Sequence, residues 1–152
     1  MFGLFKKAEK KEPEKMIHPE MGELVGEVNS GFWLGHSECK MFGRAFELKL
    51  YLYVDDDQKT DITAQLESYR YYRENMEEIN SLALKELSVQ YELDNNMDLE
   101  KRFQPTTLIL FPNGDVGLSF RDMTEIRGSS AAQMVVELLP KVSFFGSEDD
   151  YC

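Results

Sequence analysis

The segment from Thr63 to Tyr91 carries the longest regular pattern in the chain and limits the fold more than any other. Leu66, Tyr69, Tyr72, Met76, Ile79, Ala83, Leu87 and Tyr91 recur at steps of three or four residues, so a 3.6-residue period lines them along one stripe. Glu67, Glu74, Glu78, Lys85 and Glu92 fall roughly opposite. The pattern predicts one long amphipathic helix whose stripe is buried against another element. Thr63, preceded by Asp61, offers an N-cap oxygen to the first turn. Arg73 and Asn80 lie on or beside the stripe, where burial requires partners such as sheet carbonyls or a carboxylate. Tyr71, Leu82 and Val89 form a second, thinner apolar line on the far side, which a helix lying on one sheet leaves wet.

On either side of this helix the period changes to two. Met21 to Val28 and Phe32 to His36 read as strands. Glu38 to Phe42 and Ala45 to Val54 read as a hairpin about Gly43, in which Phe46, Leu48, Leu50, Leu52 and Val54 alternate with Glu47, Lys49, Tyr51 and Tyr53. The tract Asp55-Asp56-Asp57 ends that strand and leads to the helix. Beyond Tyr91, Glu92 to Asp98 reads as a loop, and Leu99 to Phe103 as one helical turn stopped by Pro105. Thr106 to Phe111 and Val116 to Phe120 flank Asn113-Gly114, a strong hairpin signal. Met134 to Leu139, rich in β-branched residues, is read as a sixth strand in preference to a short helix ended by Pro140.

The expected fold class is α+β: an antiparallel, twisted sheet of about five or six strands with one long helix, residues 63–91, packed on a face. Residues 1–16 read as a flexible lysine- and glutamate-rich tail, 17–145 as a single domain and 146–152 as an acidic tail. With 152 residues, 42% of them hydrophobic and 12% aromatic, the chain is long enough for a core without metal or disulfide help.

Several pieces in order carry a resemblance: His18-Pro19-Glu20-Met21-Gly22-Glu23-Leu24, Trp33, Phe42-Gly43 before an alternating strand, and Glu74-Asn75-Met76-Glu77-Glu78-Ile79. From His18 to Phe120 the chain resembles an uncharacterised family of small bacterial α+β proteins, a domain of unknown function in which a hairpin-rich sheet precedes one long helix and a second hairpin follows. After Phe120, Asp122 to Gly128 departs from the acidic, His-Gly-containing turn that such proteins often show. The resemblance implies a fold and brings no activity with it.

Candidate chemistry is sparse. Asp94-Asn95-Asn96-Met97-Asp98 begins like a calcium loop, but Leu99 replaces the required glycine and Pro105 the bidentate glutamate. His36 and Cys39, three apart on a strand, point to opposite faces and do not converge on a metal. Gly128-Ser129-Ser130 is too short to define a phosphate loop. Catalytic residues, cofactors and metal ligands are therefore all read as none.

Acidic residues number 28 against 17 basic ones, a net charge of -11, which argues against nucleic acid as the partner. Two cysteines and no long apolar run fit a soluble protein of the reducing cytoplasm. Phe2, Leu4 and Phe5 beside Lys6 and Lys7 leave membrane contact through residues 1–7 as an alternative for the tail. The expected function is non-enzymatic binding of another protein, a basic one by charge, with an immunity-type inhibitor or adaptor of a bacterial cytoplasm as the concrete version. Its expected surface is Tyr71, Glu74, Glu78, Leu82, Asp55, Asp56 and Asp57. The alternatives are a hydrolase with a carboxylate-based site and a structural or homo-oligomeric protein without a small-molecule ligand.

Overall fold

The computed structural model describes residues 14–26, 31–55, 61–93, 95–124 and 133–151. Strands β1 (Glu14–His18), β2 (Gly22–Gly26), β3 (Phe32–Met41) and β4 (Arg44–Tyr53) come first. Helices α1 (Thr63–Glu74), α2 (Met76–Tyr91) and α3 (Asn96–Arg102) follow. Strands β5 (Phe103–Leu110), β6 (Val116–Asp122), β7 (Gln133–Leu139) and β8 (Ser143–Ser147) precede a last short helix, α4 (Glu148–Tyr151). All the strands form one sheet in chain order. Neighbours are antiparallel except β4 and β5, which are parallel. A parallel pair needs a long crossover, and α1 to α3 provide it. The molecule is thus α+β, with two antiparallel meanders joined through helices on one face.

The sheet has eight strands among the described residues, in place of the expected five or six. The additions are the short edge strands β1 and β8, whose exposure patterns lack a clean apolar alternation, so periodicity gave no signal for them. β1 begins at Glu14, within the stretch read as tail, and β8 with α4 occupies most of the acidic C-terminus. At the β1–β2 turn the His18 Nδ1 accepts the backbone N–H groups of Glu20 and Met21. β3 runs unbroken through Met41, so the two segments expected before Gly43 are one strand. It turns into β4 at Phe42 and Gly43, which have φ of 55° and 75°, the paired positive values of a type I′ hairpin.

The long helix is broken at Asn75. Its backbone N–H donates to the carbonyls of Tyr71 and Tyr72 at 3.0 and 3.2 Å, and its side-chain Nδ2 also donates to the Tyr71 carbonyl at 3.0 Å, so a short amide shares an acceptor of the backbone ladder where α1 gives way to α2. The stripe continues through the break: Tyr69, Tyr72, Ile79, Ala83 and Leu87 are buried, and Leu66, Met76 and Tyr91 are half-buried. Asp61, not Thr63, serves the helix start, accepting the Thr63 N–H and hydroxyl on Oδ1. Asn95 caps α3 by accepting the Asp98 N–H, so the single turn expected at Leu99 to Phe103 is a longer helix that starts earlier.

Under the helices lie Leu48, Leu50, Leu52, Leu108, Leu110, Leu118, Phe120 and Val136, all buried in one cluster. Ile109 and Val135 are equally buried but stand outside that cluster, as residues on the opposite pleat must. α4 folds back beneath β6. A Cβ on Gly117 would lie 2.5 Å from the Tyr151 ring, so only glycine admits this approach. At the far end of the crossover, Arg102 pairs with buried Asp122 at 3.0 Å and lies over the rings of Tyr91 and Phe103. Among the described residues no helix is long and apolar enough to cross a membrane.

Candidate functional site

The helix break sits above the tip of the β3–β4 hairpin, and the two are bonded together. The Asn80 Nδ2 donates to the Lys40 carbonyl at 2.9 Å, and the Lys40 N–H donates to the Met76 sulfur at 3.3 Å. Between them opens a cavity of about 920 Å³. Met41, Phe42, Met76, Leu84 and Met97 supply its apolar lining, and Glu38, Glu74, Glu77 and Glu100 its carboxylates. Lys40 and Arg73 are the basic residues of the lining. Arg73 donates to the Tyr69 hydroxyl and lies over that ring, which ties its charge to α1. Methionine side chains are unbranched and adapt to differently shaped apolar partners, and Met97 is 66% exposed.

A second, shallower cavity of about 510 Å³ lies on the outer side of the break, formed by Glu74, Asn75, Glu77, Glu78, Ser81 and Leu82. The two cavities share Glu74, Glu77 and Ser81. Together they make a continuous surface around the end of α1, with carboxylates along the rim and methionine and leucine between.

Of the residues singled out from the sequence, Glu74, Glu78 and Leu82 are therefore brought together, with Tyr71 one turn earlier and 54% exposed. Asp55 is not with them. It follows the end of β4 remote from the hairpin tip and lines a different cavity. Asp56 and Asp57 lie outside the described residues, as do Asp94, the Gly128-Ser129-Ser130 segment and residues 1–7. Phe144 and Phe145 do not cover the line Tyr71, Leu82 and Val89. Phe144 packs edge-on to Tyr91, and Phe145 packs against Tyr151 on the other face of the sheet.

The sequence reading missed Met41, Phe42, Glu38, Met97 and Glu100. They come from the hairpin tip and from α3, and only the position of the helix over the sheet brings them together. The available signal was Asn75-Met76, a residue that competes with helical bonding beside a methionine on the stripe.

Cys39 is fully buried and His36 is exposed on the same strand. Burial, with Glu38 nearby, pushes the Cys39 thiol up to about 12, so it remains protonated and unreactive at neutral pH. Among the described residues no group of three His, Cys, Asp or Glu could hold a metal ion. Neither His18 nor His36 lines either cavity. No family model, no curated protein and no solved structure matches this chain.

Proposed function

We propose that this chain is a protein-binding domain whose surface around the helix break receives a basic, partly apolar segment of another protein. The supporting observation is the joined pair of cavities at Asn75, where carboxylates of Glu38, Glu74, Glu77, Glu78 and Glu100 surround Met41, Met76, Met97 and Leu82. A net charge of -11 would speed the approach of a cationic partner, while the apolar residues would set its residence time. Immunity-type inhibition of a basic toxin in a bacterial cytoplasm, or an adaptor role there, is the concrete form of this reading.

The test is affinity capture from the native host followed by mass spectrometry, using the unmodified chain, Glu74→Lys and Leu82→Asp. One salt-sensitive partner, lost in both variants and rebinding the purified chain in calorimetry, supports the proposal. The same set of proteins from all three baits opposes it.

A competing reading is a homo-oligomer, favoured by Tyr71, Leu82 and Val89, which stay 54%, 45% and 70% exposed along one line. Sedimentation equilibrium decides: a monomer at high micromolar concentration removes it, and a dimer dispersed by Leu82→Asp establishes it.

A further inference from the structure

The face of the sheet turned away from the helices carries a connected row of aromatic rings. Phe32 lies 5.5 Å from Tyr51 and 5.4 Å from Tyr53, and Tyr53 stacks on Phe111 at 5.1 Å. Phe111 meets Tyr151 edge-on at 5.2 Å, and Tyr151 meets Phe145 edge-on at 4.8 Å. The row ends in an open cavity of about 570 Å³, walled by Phe111, Phe145, Tyr151, Asp55, Asp115 and Glu137 together with Pro112 and Asn113. Among the described residues no lysine or arginine lines it.

Docking of α4 on the sheet accounts for the contacts among the rings, but not for carboxylates set beside them. Carboxylates alone would make a solvated rim, yet Glu137 stands on the central part of β7 and is half-buried against the rings. Burial, with Asp115 nearby, holds its carboxyl above the ordinary range despite a hydrogen bond from the Tyr151 hydroxyl. Rings alone would be core, yet Phe145 remains 49% exposed. Negative charge and aromatic faces around one cavity attract the same class of ligand, a cation whose apolar substituents can lie on a ring.

We propose that this cavity binds an organic cation, an alkylammonium or guanidinium group, seated against the wall formed by the rings of Phe111, Phe145 and Tyr151 and neutralised by Asp55, Asp115 and Glu137. The cation comes either from a lysine or arginine side chain of a polypeptide or from a free amine. A small inorganic cation gains nothing from the rings beyond screening the carboxylates, so the site discriminates in favour of the organic one. This site lies on the face opposite the helices and does not depend on the groove at the helix break.

The test is an NMR titration that follows the ring resonances of Phe111, Phe145 and Tyr151. The probes are N-acetyl-arginine amide, N-acetyl-lysine amide and putrescine, with sodium chloride at matched ionic strength. Saturable shifts confined to these rings are expected with the organic probes, about tenfold weaker in Glu137→Gln and lost in Phe145→Leu. Glu78→Gln, at the helix break, leaves them unchanged. Binding of the amino-acid amides identifies a polypeptide source, and binding of putrescine alone a free amine. Shifts of equal size with sodium chloride, shifts that persist in both cavity variants, or no saturable shift with any organic probe overturn the proposal. Phe145 is half exposed and Glu137→Gln is nearly isosteric, so both variants retain the fold.

Discussion

The Tyr72 hydroxyl donates to the Asn80 Oδ1 at 2.7 Å across the helix break, with both side chains buried. Asn80 passes the connection on to the sheet through its bond to the Lys40 carbonyl. One amide thus fixes α1, α2 and the hairpin tip relative to one another, and with them the lining of the larger groove. Burial pushes the Tyr72 hydroxyl above its ordinary range, so it is a donor at neutral pH.

Removing either partner leaves a buried polar group unmet, which costs roughly 1–3 kcal/mol. Tyr72→Phe is expected to lose about that much in urea unfolding. Asn80→Ala is expected to lose more, because it orphans both Tyr72 and the Lys40 carbonyl. The double variant should fall short of the sum of the two. Strict additivity would mean that the bond does not contribute as the geometry says.

The same pair marks the limit of what the sequence revealed. The stripe from Leu66 to Tyr91, the alternation in β4 and the Asn113-Gly114 hairpin were legible because each is a local period or turn signal, and Asn80 was legible as a polar residue in need of a sheet carbonyl. Which carbonyl it meets depends on how the helix lies over the sheet, a long-range fact that periodicity does not encode. The break at Asn75 was hidden because it preserves the stripe. The edge strands were hidden because an edge needs no clean alternation. Glu74, Glu78 and Leu82 were legible as neighbours because they share one helix face, whereas Met97 and Phe42 reach the adjoining cavity from other elements.

β4 offers a two-sided test of the sheet. Leu50 is fully buried, while Glu47 is exposed and directly opposite Glu38 on β3. Leu50→Asp buries an unpaired charge and is expected to abolish the cooperative transition in thermal melts. Glu47→Lys replaces a cross-strand repulsion with an attraction, so its effect should lie between neutral and a gain of about 0.5 kcal/mol. Comparable damage from both would reverse the assignment of faces.

Two carboxyls give stability opposite dependences on pH. Burial alone would raise Asp122, but hydrogen bonds from Arg102 and Thr124 and the Arg102 charge hold it below the usual carboxylate range. Its contribution is therefore complete above the unfolded value of about 4 and is lost as pH falls through the lower folded value. Asp122→Asn should cost about 1–3 kcal/mol at pH 7 and approach the unmodified chain in acid. Glu137 is displaced upward, so its ionised form destabilises the fold at neutral pH. Glu137→Gln should be more stable at pH 7, with the gain fading as pH falls toward the ordinary glutamate value of about 4.3. Urea unfolding from pH 3 to pH 8, on the scale of those values, reads both; parallel curves for either variant would contradict its assignment.

The last prediction isolates the face of the sheet turned away from the helices. Gly117 lies directly against Tyr151, so any side chain there must displace the ring. Tyr151 is carried on the short terminal helix α4 and can move away, while Val116 and Leu118, beside Gly117 on β6, remain packed in the helix-side core. Gly117→Val should therefore keep the sheet, whose strand geometry favours valine. It should release α4 at a cost on the order of 1–3 kcal/mol. Carboxypeptidase should trim the variant past Tyr151 much faster than the unmodified chain, while the amides of β5 and β6 keep their protection from hydrogen exchange. Equal trimming rates, or loss of protection throughout the sheet, would show that α4 is not a separately docked cover for this face.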